Sequence, residues 1–195
     1  MKPSQPSIDV SLVLAVSDAE ETLGRDIKAF AAHMTALGLG FEIVAVNDGS
    51  RDNSLGLLKL LECQIPELRV IYRDVSGRAF VRGTSEARGQ TVILADTANC
   101  PLTWAPLGWA LGRLEAGKDA VVLRSRYVVA RRLTCLPAVA RSRGTSAAFE
   151  RRFESESQGL SLEVVGSRRA SNVFADVADM LRAPLRRLPF ALPRF

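Results

Sequence analysis

Phe41-Glu42-Ile43-Val44-Ala45-Val46-Asn47-Asp48-Gly49-Ser50-Arg51-Asp52-Asn53-Ser54 is the stretch that decides the fold. Phe41 to Val46 is a short apolar, β-branched run that reads as a strand. It closes in the polar turn Asp48-Gly49-Ser50, and Asp52 stands where a helix through Leu55, Leu58 and Leu61 needs its cap. The same unit precedes it. Ile8 to Val16 is an apolar run closed by Ser17-Asp18, with Asp18 expected to cap a helix starting there. That helix carries Leu23, Ile27, Phe30, Ala31, Met34 and Leu37 as a stripe ending at Gly38 and Gly40. Downstream, the pattern predicts strands over Leu68 to Tyr72, Thr91 to Ala95 and Ala120 to Leu123, with helices over Phe80 to Arg88 and Leu107 to Leu114. Strands that alternate with helices and are apolar on both faces imply an α/β fold, a mostly parallel sheet flanked by helices on both faces. From residue 124 to 158 the periodicity fails. The stretch is rich in arginine, serine and alanine, with Pro137 and Gly144, and predicts only a broken helix around Ala147 to Ser157. Leu160 to Val165 reads as a closing strand and Asn172 to Leu185 as an amphipathic helix, and there is no internal repeat.

The 195 residues suit a single domain. With 47% hydrophobic and 24% charged residues, neither disorder nor a fibrous architecture fits. Cys63, Cys100 and Cys135 are too few and too far apart for a disulfide framework and include no C-x-x-C pair. They are expected to be buried fillers in a reducing compartment. No apolar run reaches the roughly 18–20 residues of a membrane span, and the start lacks the pattern of a secretory signal, so the expectation is a cytoplasmic protein. The net charge of +5 is uneven: residues 1–123 carry 12 basic and 15 acidic side chains, residues 124–195 carry 14 and 6. The second part is therefore suited to an anionic partner.

In an open parallel sheet, ligands bind beyond the carboxyl ends of the strands, where loops and helix N-termini gather. After the first strand stand Ser17, Asp18 and Glu20; after the second, Asp48; after the third, the glycine-flanked segment with Gly77 and Arg78; after the fourth, Asp96. Carboxylates at one edge suit a base or ribose hydroxyl, or a metal bridging to a diphosphate. Capping of the next helix is the competing role, strongest for Asp18 and Asp52. Trp104 and Trp109 are expected to be half-buried core, and His33, the only histidine, a surface residue of the first helix.

Val10-Ser11-Leu12-Val13-Leu14-Ala15-Val16-Ser17-Asp18-Ala19-Glu20-Glu21, followed by Asn47-Asp48-Gly49-Ser50-Arg51-Asp52-Asn53-Ser54, resembles the opening of glycosyltransferase family 2. The nearest branch is the polyprenyl-phosphate (dolichyl-phosphate) sugar transferases, with Gly77 to Gly83, Ala87-Arg88-Gly89, Ala95-Asp96-Thr97-Ala98 and Ser125-Arg126-Tyr127 in order. Leu162-Glu163-Val164-Val165 and Ala170-Ser171-Asn172-Val173 resemble the end of its catalytic domain. The resemblance implies a single GT-A-like (Rossmann-like) domain: residues 8–127 bind the nucleotide, 128–159 form a shortened acceptor-side segment, 160–187 close the fold and 188–195 form a basic tail. It implies a nucleotide-diphosphate sugar as ligand. Ser17, Asp18, Asp48, Gly77 and Arg78 would contact the nucleotide, and Asp96 would hold magnesium or manganese and serve catalysis. Arg126, Arg168, Arg169 and Ser171 would contact phosphate or acceptor.

The family's second D-x-D carboxylate falls on Ala98, its P-V-Y-N-E becomes Ala15-Val16-Ser17-Asp18-Ala19, and the first Asp of D-D-G-S is Asn47. Two readings stay open: a transferase acting on a polyprenyl phosphate or similar acceptor, and a catalytically inactive scaffold or regulatory module that binds a partner protein or membrane. Arg182, Arg186, Arg187 and Arg194 alternate with apolar residues in the tail, which suits a lipid phosphate or an anionic membrane surface, peripheral at the inner face. Without a stacking platform or recognition motif, nucleic acid is not expected.

Overall fold

In the computed structural model, which describes residues 8–72, 77–99, 102–142, 144 and 146–166, the apolar runs assemble into one sheet. Its strands are β1 (Val10–Val16), β2 (Phe41–Asn47), β3 (Leu68–Ile71), β4 (Thr91–Asp96), β5 (Ala120–Leu123), β6 (Tyr127–Arg131) and β7 (Leu162–Val165), in the order β3-β2-β1-β4-β6-β5-β7. β1 runs parallel to β2 and β4, β2 to β3, and β5 to β7. β6 alone is antiparallel to both its neighbours, β4 and β5.

Every residue of β1 is buried, because both of its faces are covered. Leu12, Leu14 and Val16 enter one core with α1 (Leu23–Leu37), α2 (Ser54–Gln64) and α4 (Leu107–Glu115). Val13 and Ala15 enter the other, with α3 (Ala79–Glu86), α5 (Arg132–Arg141) and α6 (Ser146–Glu156). This is the α/β arrangement, a mostly parallel sheet with helices on both faces, that the alternating pattern implies. α3 lies directly on β1: a Cβ at Gly83 would come within 2.2 Å of Val13 Cγ1. α1 ends at Gly38, whose φ of 69° lets its amide reach the carbonyls of Met34 and Thr35.

Two local expectations need correction. α1 begins at Leu23, with Thr22 at its N-cap, not at Asp18. Asp18 has a φ of 46°, left-handed backbone that cannot open a right-handed helix, and an intervening turn carries the chain from Ala19 to Leu23. Residues 124–158, read as nearly structureless, contain β6 and α5 as well as the expected last helix, here Ser146–Glu156. A tight turn hides β6, with Ser125 at φ 58° and the Arg126 amide donating to the Leu123 carbonyl at 3.0 Å. Pro137 inside α5 masks that helix. Pro137 is exposed, as is Leu133, whose carbonyl would otherwise accept the missing amide. The expected helix over Asn172 to Leu185 and the basic tail lie outside the described residues.

Candidate functional site

The chain proceeds from β1 to β2 and β3 on one side of the sheet, then crosses to β4 on the other side of β1. The carboxyl ends of β1 and β4 therefore flank a topological switch point, where neighbouring connections diverge and leave a crevice. Thr97 closes its floor: its hydroxyl accepts the Ser17 amide at 3.1 Å and lies 3.4 Å from the Ser17 carbonyl. Asp48 follows β2, with its amide on the Val16 carbonyl at 2.8 Å. Its largely buried carboxylate accepts the Gly77 amide at 2.9 and 3.1 Å, tying the β2 turn to the entry of α3. The Gly77 carbonyl in turn accepts the Gly144 amide at 2.9 Å, so the α5–α6 connection is fastened to the same loop. Arg78 follows, exposed, just before α3.

The acidic residues after β1 and β2 interlock. Asp18 Oδ1 accepts the Arg51 amide and Glu20 Oε2 the Asn53 amide, each at 2.6 Å. Asp52 accepts the Glu20 and Ser54 amides, both at 2.9 Å, and the Ala19 amide donates to Ser54 Oγ at 2.8 Å. The Ser54 hydroxyl, and then the Glu20 and Ser54 amides, hold the Asp52 carboxyl below its ordinary value against desolvation. The loops enclose a cleft of about 310 Å³ lined by Asp18, Glu20, Glu21, Asp52 and Thr97. Asp18 thus braces the second loop rather than capping a helix, while Asp52 does serve the first amide of α2.

On the other flank, Asp96 is buried at the end of β4, with Oδ1 accepting the Ala98 amide at 2.9 Å and closing the 3₁₀ turn Thr97–Asn99. Because β6 runs antiparallel to β4, Tyr127 pairs with Ala95, and the turn that precedes it lies at the same edge. Asp96, Arg126, Tyr127 and Glu150 line one small cavity of about 10 Å³ with Phe80 and Phe149. Burial pushes the Tyr127 phenol far above its ordinary value, and the ring stacks on Trp104 at 5.3 Å. Trp104 also meets Phe30 edge-on at 4.9 Å, so it is core, and Trp109 is half-buried against the same core. Glu150 is buried too, its carboxyl raised by desolvation, and it accepts the Ser125 amide at 3.0 and 3.3 Å.

The structure thus brings Ser17, Asp18, Asp48, Gly77, Arg78, Asp96 and Arg126 to one edge. Arg168, Arg169 and Ser171, with Arg182, Arg186, Arg187 and Arg194, lie outside the described residues. Ala87-Arg88-Gly89 is elsewhere, at the opposite, amino edge. There the Arg88 amide donates to Glu42 at 2.5 Å, the Gly89 amide donates to Ser11 Oγ at 2.8 Å, and that hydroxyl donates to Glu42 at 2.7 Å. A Cβ at Gly89 would come within 2.7 Å of the Ser11 backbone nitrogen, so this motif locks the fold. His33 is half-buried rather than a surface residue, and burial lowers its imidazole. Cys135 is the expected buried filler, whereas Cys63 is exposed and Cys100 lies outside the described residues. Two residues of this edge escaped the sequence reading. Thr97 carries no signal of its own beside the Asp96 carboxylate, and Glu150 reaches the Ser125 amide from 25 residues away in sequence with no local pattern to mark it.

Among the described residues, no group of three or more histidine, cysteine, aspartate or glutamate side chains is placed to hold a metal ion. Asp96 already accepts the amide of Ala98, two residues on in the 3₁₀ turn, and the Ala98 side chain has no ligand atom. Among the described residues, these do not make up a metal centre. Nor is any described helix long and apolar enough to cross a membrane.

Residues 11–130 match the model of glycosyl transferase family 2. The dolichol-phosphate mannosyltransferase of Mycosarcoma maydis is 35% identical over 106 residues, covering 52% of this chain and 35% of that protein. The undecaprenyl-phosphate 4-deoxy-4-formamido-L-arabinose transferase of Pseudomonas paraeruginosa is 34% identical over 100 residues, covering 49% of this chain and 29% of the other. The chain thus spans about a third of the length of these relatives. The mannosyltransferase of Pyrobaculum calidifontis, solved with GDP-Man and Mn²⁺, superposes with a TM-score of 0.60 at 14% identity, covering 85% of this chain and 59% of that one.

Proposed function

Because the chain belongs to glycosyl transferase family 2, we propose that its carboxyl edge binds a nucleotide-diphosphate sugar and passes the sugar to a polyprenyl phosphate or similar acceptor. The observation that supports this most is the convergence of Asp48, Gly77, Asp96 and Arg126 from four separate connections on the switch point between β1 and β4. Asp48 would accept a hydrogen bond from the base or ribose, and Ser17 and Asp18 would border it. Arg78 and Arg126 would supply positive charge to the diphosphate, where guanidinium groups bind in a planar, charge-assisted way. The acceptor's phosphate oxygen attacks the anomeric carbon, and the bond to the nucleotide diphosphate breaks with the electron pair leaving on the diphosphate. A phosphate nucleophile is already ionised, so no general base is required. Arg168, Arg169 and Ser171 are proposed as further phosphate contacts. The tail arginines are proposed to meet an anionic lipid surface.

A second reading has its own observation. Ala98 removes a ligand atom, and the Asp18, Glu20 and Asp52 carboxylates are committed to backbone amides of the facing loop. Both features suit a chain that keeps the nucleotide fold as a scaffold without catalysis. Calorimetric titration of the chain with UDP, GDP and their sugars, with and without manganese, tests the first reading. Binding of at least one nucleotide is expected, and silence across the panel would leave the scaffold.

A further inference from the structure

We infer that α6 is a positioning element of the site, with Glu150 holding the 124–126 turn so that Arg126 stands beside Asp96. This rests on the proposed nucleotide site for its consequence, though not for its geometry. The turn between β5 and β6 carries a non-glycine residue in left-handed backbone, Ser125 at φ 58°. Such a residue is disfavoured and persists only where its surroundings hold it. The grip comes from one helix. Glu150, 6% exposed, receives the Ser125 amide on both carboxylate oxygens, at 3.0 and 3.3 Å. Glu154, one turn further along α6, pairs with Arg124 Nη2 at 2.9 Å, both side chains being mostly buried. Positions four apart lie on one face of a helix, so the two carboxylates act as a two-point clamp. α6 itself is seated by Phe149 and Phe153, which pack on each other and, through Phe149, on Phe80 of α3 at 4.5 Å. The clamp therefore joins the second core to the turn whose next residue, Arg126, lines the cavity shared by Asp96 and Glu150. A buried carboxylate that only stabilised the fold would need no place at the ligand edge. Glu150 instead sets a backbone conformation two bonds from the residue proposed to meet phosphate.

Two measurements on the full chain test this. In calorimetry with UDP and GDP, Arg126→Ala should weaken the bound nucleotide on the order of tenfold, the scale of one charge-assisted hydrogen bond. Glu150→Ala should weaken it nearly as much, and the double variant no further than Arg126→Ala alone, since both act through one group. Glu150→Gln, which keeps the acceptor oxygen, should restore the affinity. In limited trypsin digestion, Glu150→Ala should speed cleavage after Arg124 and Arg126 severalfold while leaving cleavage after Arg82 unchanged. Glu154→Gln should do the same to a smaller extent, which keeps the test open if Glu150→Ala does not fold. Unchanged cleavage at the turn overturns the clamp, whatever the nucleotide result. Losses that simply add in the double variant overturn the link to Arg126. A wild-type chain that binds no nucleotide, yet shows the altered cleavage, refutes the nucleotide reading and retains the clamp.

Discussion

Asp48 separates two effects that a single alanine variant would confuse. Asp48 is 9% exposed and its carboxylate receives the Gly77 amide on both oxygens, so removing it leaves a donor without its partner. An unpaired, partly buried amide costs about 1–3 kcal/mol, and Gly77 is only half-buried, which favours the lower end. At about 2–4 °C per kcal/mol for a chain of this size, Asp48→Ala should lower the Tm by roughly 2–6 °C. Asp48→Asn keeps an acceptor oxygen for the amide and should shift the Tm by less than about 2 °C. Both variants remove the charge that would receive a base or ribose donor, so each should weaken UDP or GDP by on the order of tenfold or more. Circular dichroism melts and calorimetry on the three proteins decide. An Asp48→Asn chain with wild-type Tm and wild-type affinity would refute the assignment of this carboxylate to the ligand. An Asp48→Ala chain with unchanged Tm would refute the structural role of the Gly77 contact.

At the amino edge, Gly89→Ala forces a methyl to within 2.7 Å of the Ser11 nitrogen and 2.8 Å of the Val10 carbonyl carbon, backbone that cannot step aside. Overpacking of this kind should destabilise by about 1–3 kcal/mol, read as a lower Tm with nucleotide affinity retained in the folded fraction. Mass-spectrometric mapping after brief alkylation should show Cys63 labelled and Cys135 protected, because Cys135 is buried and its thiol is pushed up to about 12 by desolvation. Burial raises Glu150 above its ordinary value of 4.5 even though the Ser125 amide and Arg124 and Arg151 oppose the shift, with Glu154 adding to it. The folded chain then keeps a proton that the unfolded chain has lost, so stability falls as pH rises through that window. The Tm of Glu150→Gln relative to wild type should therefore climb from pH 4 to pH 7, and parallel curves would contradict the burial effect. Manganese alone should give no calorimetric binding to the wild type, whereas Ala98→Asp, which restores a second carboxylate, should create metal-enhanced nucleotide binding.

The parts of this fold that were legible share a physical cause. β1, β2 and β4 are buried on both faces, so Leu12, Val13, Ile43, Val44, Ile93 and Leu94 must all be apolar, and a continuous run next to a helical stripe admits few other folds. β6 is equally apolar, but its entry through a left-handed Ser125 carries no glycine to announce a turn. α5 was hidden because Pro137 normally ends a helix, yet here it stands inside one, on an exposed side. At the site, Asp48 and Asp96 were readable as residues that follow a strand. What they touch was not: the Gly77 amide lies 29 residues from Asp48, and such pairings are set by topology rather than by local sequence. The same reason concealed Glu150 and the bracing role of Asp18. Ala87-Arg88-Gly89 matches the family in its order along the chain, and only the fold shows that it locks onto Ser11 and Glu42.

The central claim is that the carboxyl edge, and not the amino edge, receives a nucleotide diphosphate. At 21.2 kDa the chain is open to amide NMR, and a titration with UDP and GDP reads both edges at once. The account predicts shifts concentrated at Ser17, Asp18, Asp48, Gly77, Arg78, Thr97 and Arg126, with Gly89 and Gln90 unmoved. Shifts centred on Gly89, Gln90 and Arg131, or none at millimolar nucleotide, would contradict it.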